Sequence, residues 1–214
     1  MNQTLPMPAP LPSTPQPLLR VRQLGKRYGA LTALHDASFD LWPGEVLAVV
    51  GESGSGKSTL LNAVAALSRP DSGGVEYRLR DGTLEDVHAL MQRVEIDPWR
   101  IDDTPRVFSG GMRQRLQIAR NLVTSPRLLF MDEPTSGLDV SVQARLLDLL
   151  RRLTQELQLA VVIVTHDLAV ARLLAQRMVV MQRGRIVESG LTDQLLDDPQ
   201  HPYTQLLVSS VLPP

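Results

Sequence analysis

Cysteine is absent from this 214-residue chain. Its absence excludes disulfide staples and thiolate metal sites, iron–sulfur ligation included, and is compatible with a reducing compartment. No apolar run approaches the roughly 20 residues that a membrane-spanning helix needs, so any role at a membrane is expected to run through a partner. The N-terminus lacks a basic region followed by an apolar core, and no secretion signal is expected. Charge of one sign is lacking too. The formal net charge is −1, which gives no broad electrostatic case for nucleic acid or anionic lipid. There is no internal repeat. What remains is a chain of a length that suits one globular domain with a sizeable core.

Proline crowds the start. Pro6, Pro8, Pro10, Pro12, Pro15 and Pro17 alternate with small or polar residues. Such a segment forms neither a helix nor a central strand. Residues 1–17 are therefore expected to be a disordered, partly polyproline tail. The composition fits a plain tail better than a ligand for a proline-binding domain.

From Leu18 the pattern becomes regular. Residues 18–24 alternate as a strand does, residues 33–41 give a second strand, and Pro43-Gly44 turns the chain. Four apolar runs follow, at 46–50, 128–132, 160–165 and 178–181. They have no polar face, as expected for strands buried on both sides of a parallel sheet. Helical patterns separate them. In 141–157, Leu146, Leu149, Leu150, Leu153 and Leu157 fall on one face. The fold class is α/β, with helices expected on both faces of a mainly parallel sheet.

The first chemical motif is Gly51-Glu52-Ser53-Gly54-Ser55-Gly56-Lys57-Ser58-Thr59, set between the strand 46–50 and a helical run over 59–67. A glycine, four residues and then Gly-Lys-Ser make a phosphate-binding loop. The glycines turn backbone N–H groups toward phosphate oxygens, and the helix adds its positive N-terminal end. Lys57 then reaches the β and γ phosphates, and Ser58 holds Mg²⁺.

The second motif ends the strand 128–132 in Asp132 and Glu133, at the strand edge where α/β proteins bind ligands. With the phosphate loop upstream, Asp132 is placed to hold Mg²⁺ through water and Glu133 to polarise the water that attacks the γ phosphate. Alone, such a pair could equally cap the next helix. The third motif is Phe108-Ser109-Gly110-Gly111-Met112-Arg113-Gln114-Arg115, opening a helix with the apolar face Met112, Leu116, Ala119 and Val123. It offers a second phosphate-binding helix start. By itself it fits an N-cap with permissive glycines better.

Taken in order, these residues resemble the ATP-binding cassette (ABC) ATPases over Leu18 to Glu188. Ser109-Gly110-Gly111 is similar to the family's signature, with Phe108 and Met112 as variants at its ends. Ser136-Gly137-Leu138-Asp139 resembles the loop that joins two protomers, and Thr165-His166-Asp167 resembles the segment of the switch histidine. Tyr28 lies where the family stacks an aromatic ring on adenine. The resemblance implies a P-loop NTPase fold with an N-terminal antiparallel β part and a shortened helical subdomain. It also implies ATP and Mg²⁺ as ligands and a second cassette as partner. ATP would be sandwiched between the Lys57 loop of one protomer and the Ser109 signature of the other, with His166 on the γ phosphate and Asp139 crossing the interface. The implied layout is an ATPase domain over 18–197, shortened between 74 and 108, and a C-terminal tail over 198–214.

One departure from the family is large. Ser109 follows Lys57 by only 52 positions. The family's glutamine loop, and most of the helical subdomain that grips a partner, normally lie in this interval. Here there is a strand-like stretch over 74–80, a turn at Asp81-Gly82 and one amphipathic run from Leu84 to Val94. Gln92 is the only glutamine between the two motifs and has no apolar strand before it, so the glutamine-loop role is not given to it.

Within the family, residues 39–46, 109–124, 137–150 and 188–211 resemble ATPase subunits of the bacterial phosphonate carbon–phosphorus lyase system. That implies docking on the subunits of a soluble lyase core in the cytoplasm, with the bond broken by other subunits. The His201-Pro202-Tyr203-Thr204 tail is shared with ATPases of oligopeptide importers. A peptide or nickel importer subunit and a non-catalytic cassette disabled by the missing loop are the rival readings. A DNA-repair or translation cassette fits less well, since the chain has neither a long coiled insertion nor two cassettes.

Overall fold

The computed structural model describes residues 16–78 and 87–211. The Pro-rich stretch up to residue 15, the Asp81-Gly82 turn and the start of the 84–94 run lie outside these residues.

The chain begins with β1 (Leu19–Tyr28) and β2 (Leu31–Leu41), paired antiparallel, with β4 (Ser72–Tyr77) on the other side of β1. These make a three-stranded sheet. Strand β1 runs past residue 24, where the alternation stops, because register shifts at Gln23–Lys26 let the polar end stay paired.

The second sheet contains β3 (Val46–Val50), β5 (Leu128–Asp132), β6 (Ala160–Val164), β7 (Arg177–Gln182) and β8 (Arg185–Leu191), in the order β5-β6-β3-β7-β8. The first four are mutually parallel, and β8 returns antiparallel to β7. The alternation of side chains splits each strand between two cores. Val46, Ala48 and Val50 face one core, whereas Leu47 and Val49 face the other. The polar-face-free runs are thus explained by burial on both sides.

The larger core is built by α2 (Val87–Arg93), α3 (Gly110–Leu122), α4 (Val140–Glu156), α5 (Leu168–Leu174), α6 (Thr192–Asp197) and α7 (Pro202–Val211). On the opposite face α1 (Lys57–Val64) is joined by the three-stranded sheet, so helices share that face with strands. Leu146, Leu149, Leu150 and Leu153 of α4 are buried as their spacing predicts, and Leu157 packs at the margin. Leu146 is 1% exposed. Leu146→Ala is expected to cost about 2–5 kcal/mol, read as a lower midpoint in denaturant unfolding.

Helix α3 departs from its expected face. Gly111, Ile118, Ala119 and Leu122 are buried, whereas Met112, Leu116 and Val123 are half-buried at the edge of the core. Leu116 and Val123 border a cavity of about 280 Å³ shared with Leu90, Met91 and Phe108. That open space leaves the expected stripe only partly covered. No helix among the described residues is long and apolar enough to cross a membrane.

Candidate nucleotide site

Three parallel strands, β3, β6 and β5, lie side by side and end together. Their ends are tied. The Glu133 N–H donates to the Val164 carbonyl at 2.9 Å, and the Thr165 N–H donates to the Val49 carbonyl at 3.1 Å. The phosphate loop, the acidic pair and the Thr165-His166 turn therefore share one sheet edge, at the carboxyl ends where such folds bind ligands.

The loop from Gly51 to Gly56 leads into α1. Gly56 stands just before the helix at φ 103°, with no side-chain cap on the helix N-terminus. A Cβ on Gly56 would come within 2.8 Å of the Ala33 carbonyl oxygen. Alanine would therefore meet both a backbone clash and a left-handed φ, a strain of about 1–3 kcal/mol. Gly56→Ala is expected to weaken nucleotide binding by about tenfold or more, with an unchanged circular dichroism spectrum, in a nucleotide titration.

Lys57 is buried. Its Nζ donates to the carbonyls of Gly51 at 2.8 Å and Glu52 at 2.9 Å. Burial pulls the ammonium pKa below its ordinary range, and the carboxylates of Glu133 and Asp132 oppose that only in part. Among the described residues the charge rests on carbonyls without a direct carboxylate partner. An anionic ligand would complete it.

Glu133 sits at φ 46°. Its Oε1 lies 2.9 Å from His166 Nδ1. Tyr28, Ser53, Gly54, Gly56, Lys57, Ser58, Thr59, Asp132, Glu133 and His166 border one cavity of about 890 Å³. The Tyr28 ring is half exposed, with Lys26 Nζ 5.5 Å from its centroid. A half-exposed aromatic ring and a buried cation bordering one cavity match a base and a phosphate chain.

The Ser58 hydroxyl and the Asp132 carboxylate border the same cavity as Lys57. These are hard oxygen donors of the kind Mg²⁺ takes. Among the described residues there is no group of three or more His, Cys, Asp or Glu able to hold a metal.

Gly51, Glu52 and Ser55 belong to the loop but do not border the large cavity; Glu52 and Ser55 border a smaller recess beside it. The signature lies elsewhere. Ser109 caps α3 by accepting from the Met112 N–H at 3.3 Å. A Cβ on Gly111 would come within 2.4 Å of Val142 Cγ1, whereas one on Gly110 would make only ordinary contact with Leu138 at 3.6 Å. Asp139 is exposed just before α4 and makes no side-chain cap. The neighbouring Val140 is 85% exposed. Signature and Asp139 loop thus form a second patch, separate from the Lys57 cavity within one chain. Sequence reasoning missed Thr32, Ala33 and Arg183 in the cavity lining. These are strand-end and turn residues brought in by topology, with no motif of their own.

Sheet order, loop and acidic strand end define a nucleotide-binding protein of the P-loop class. The chain belongs to the ABC ATPase family, whose members hydrolyse ATP. The family described as ABC transporter matches residues 34–97 and 80–136, and the oligopeptide/dipeptide transporter C-terminal region matches 187–214. The phosphonates utilization ATP-binding protein PhnK of Escherichia coli (strain K12) is 53% identical over 248 residues, covering 92% of this chain and 98% of that protein. The dipeptide transport ATP-binding protein DppF of the same organism is 35% identical over 255 residues, covering 91% of this chain and 76% of that protein. Among solved structures, cbiO1 from Clostridium perfringens superposes with TM-score 0.76 at 24% identity, covering 92% of this chain and 96% of its own. The dimeric bacterial cassette MJ0796 superposes with TM-score 0.70 at 24% identity, covering 81% of this chain and 98% of its own.

Proposed function

We propose that this chain is the ATP-binding and ATP-hydrolysing subunit of a phosphonate carbon–phosphorus lyase system, turning hydrolysis into movement of a larger complex. The observation that carries hydrolysis is the Glu133–His166 pair at 2.9 Å in the cavity that also holds Lys57 and Asp132. Lys57 would leave its two carbonyls for the β and γ phosphates. Glu133 would take the proton of an attacking water, and His166 would fix the carboxylate and reach the γ phosphate. Ser58 and Asp132 would hold Mg²⁺, which neutralises phosphate charge when bound. Tyr28 would stack on adenine.

The site is half a site in this reading. Ser109, Gly110 and Gly111 with Asp139 would close on the ATP of a second protomer, a copy of this chain or a related cassette. The exposure of Ser109, Gly110 and Asp139 on a separate patch supports that role. The larger identity to the phosphonate protein than to the dipeptide importer supports the lyase assignment. It implies subunits of the lyase core as partners and the cytoplasm as location.

The short middle is part of the reading. The family match breaks into two overlapping pieces at residues 80–97, and the 248-residue alignment is longer than the 214-residue chain. Both support the loss of a block that would carry the glutamine loop. No glutamine borders the large cavity among the described residues. That favours a second reading, a cassette that binds ATP without turning it over. The match over 187–214 is to a tail shared with importer ATPases, so it does not separate the lyase and importer readings. Growth of a deletion strain on a phosphonate as sole phosphorus source separates the partners. Lost growth, restored by this chain, is the expected result; growth lost only on peptides contradicts it.

A further inference from the structure

The C-terminal segment touches the phosphate loop at one point. Tyr203 of α7 is 6% exposed, and its hydroxyl oxygen accepts the Glu52 N–H at 3.0 Å. That N–H belongs to the same peptide unit as the Gly51 carbonyl. The Gly51 carbonyl holds Lys57 Nζ at 2.8 Å. One side of the peptide is thus fixed by the C-terminal helix and the other by the phosphate-binding lysine. The next carbonyl, of Glu52, takes Lys57 Nζ at 2.9 Å and the Ser55 N–H at 3.2 Å.

Tyr203 is itself anchored. Its N–H donates to His201 Nδ1 at 3.1 Å. The Glu188 carboxylate on β8 accepts the Gln200 N–H at 2.8 Å and the His201 N–H at 3.1 Å. Burial raises the Glu188 pKa, but the donors around it outweigh that and keep the group below its ordinary range. A continuous chain of bonds therefore runs from β8 through 200–203 to the root of the loop.

We propose that Tyr203 is a positioning residue for the phosphate loop, and that through it the C-terminal helix sets nucleotide affinity from outside the cavity. The proposal rests on the nucleotide reading of the Lys57 cavity. Its physical basis is pre-organisation. A peptide free to rotate must be ordered when phosphate binds, and that ordering subtracts from affinity. No part of Tyr203 borders the large cavity, so its effect falls on binding rather than on the reacting atoms.

The test is ATP binding by the full chain, by Tyr203→Phe and by Leu195→Ala, together with steady-state turnover and thermal melting. Phenylalanine keeps the buried ring and removes only the hydroxyl. Leu195 is 4% exposed in the larger core, and its truncation lowers stability without touching the loop. Tyr203→Phe is expected to raise the ATP dissociation constant and the KM about three- to tenfold, the worth of one such hydrogen bond. Its kcat at saturating ATP should stay within about twofold. Leu195→Ala should lower the melting midpoint and leave the dissociation constant within about twofold. An unchanged constant in Tyr203→Phe, or an equal loss in Leu195→Ala, overturns the proposal while leaving the cavity assignment standing. Absence of ATP binding by the wild-type chain overturns both.

Discussion

Glu133→Gln is expected to cut ATP turnover by about 10²–10⁴-fold, the usual contribution of a general base, while ATP still binds. The carboxylate stands in the cavity with its Oε1 against His166 Nδ1 at 2.9 Å. The amide has the same shape and keeps a hydrogen-bonding oxygen for the histidine. It cannot take a proton from water. Lys57, Ser58 and the loop glycines are untouched, so binding of the phosphates is preserved. Single-turnover phosphate release beside equilibrium nucleotide titration separates the two effects. Turnover near the wild-type rate in this variant would remove Glu133 from the mechanism.

Lys57→Ala is expected to act on the other half of that separation, weakening ATP binding by about 10²–10³-fold. The ammonium is a buried cation held by two carbonyls, with its pKa already pulled down by burial. A phosphate chain is the partner that restores its solvation. Truncation removes the charge and leaves phosphate oxygens facing the freed Gly51 and Glu52 carbonyls, which is repulsive. Affinity for ADP should fall too, and affinity for adenosine should hold, because the proposed base contact at Tyr28 is unchanged. A calorimetric series of the three ligands checks this. Equal losses for all three would indicate a collapsed loop rather than a lost phosphate contact.

The motif-bearing half of this fold was legible because its strands have no polar face. Burial on both sides forces β3, β5 and β6 to be continuous apolar runs, and their ends then carry the loop, the acidic pair and His166. Strand β8 was not legible: it is an edge strand with mixed exposure, so neither a run nor a clean alternation marks it. Helix α3 was legible as a helix but not in its facing. Its half-buried Leu116 and Val123 border open space that no local pattern reveals. The site followed the same division. Residues with a nucleotide motif were named, whereas Ala33 and Arg183 reach the large cavity from a strand and a turn distant in sequence, and Tyr203, noted only within the His201-Pro202-Tyr203-Thr204 tail, had no sequence signal for its place beside the loop. Tyr203 stands 151 positions from the loop residue it binds, a pairing set only by the packing of α7.

The most direct test of the account is phosphate release from ATP by the purified wild-type chain, with Mg²⁺ present and with it chelated. The account predicts sustained release over many turnovers, abolished by chelation and by Glu133→Gln. Bound ATP that is never hydrolysed with Mg²⁺ present, even when partner subunits are added, would contradict it and mark the chain as a cassette that binds without turning over.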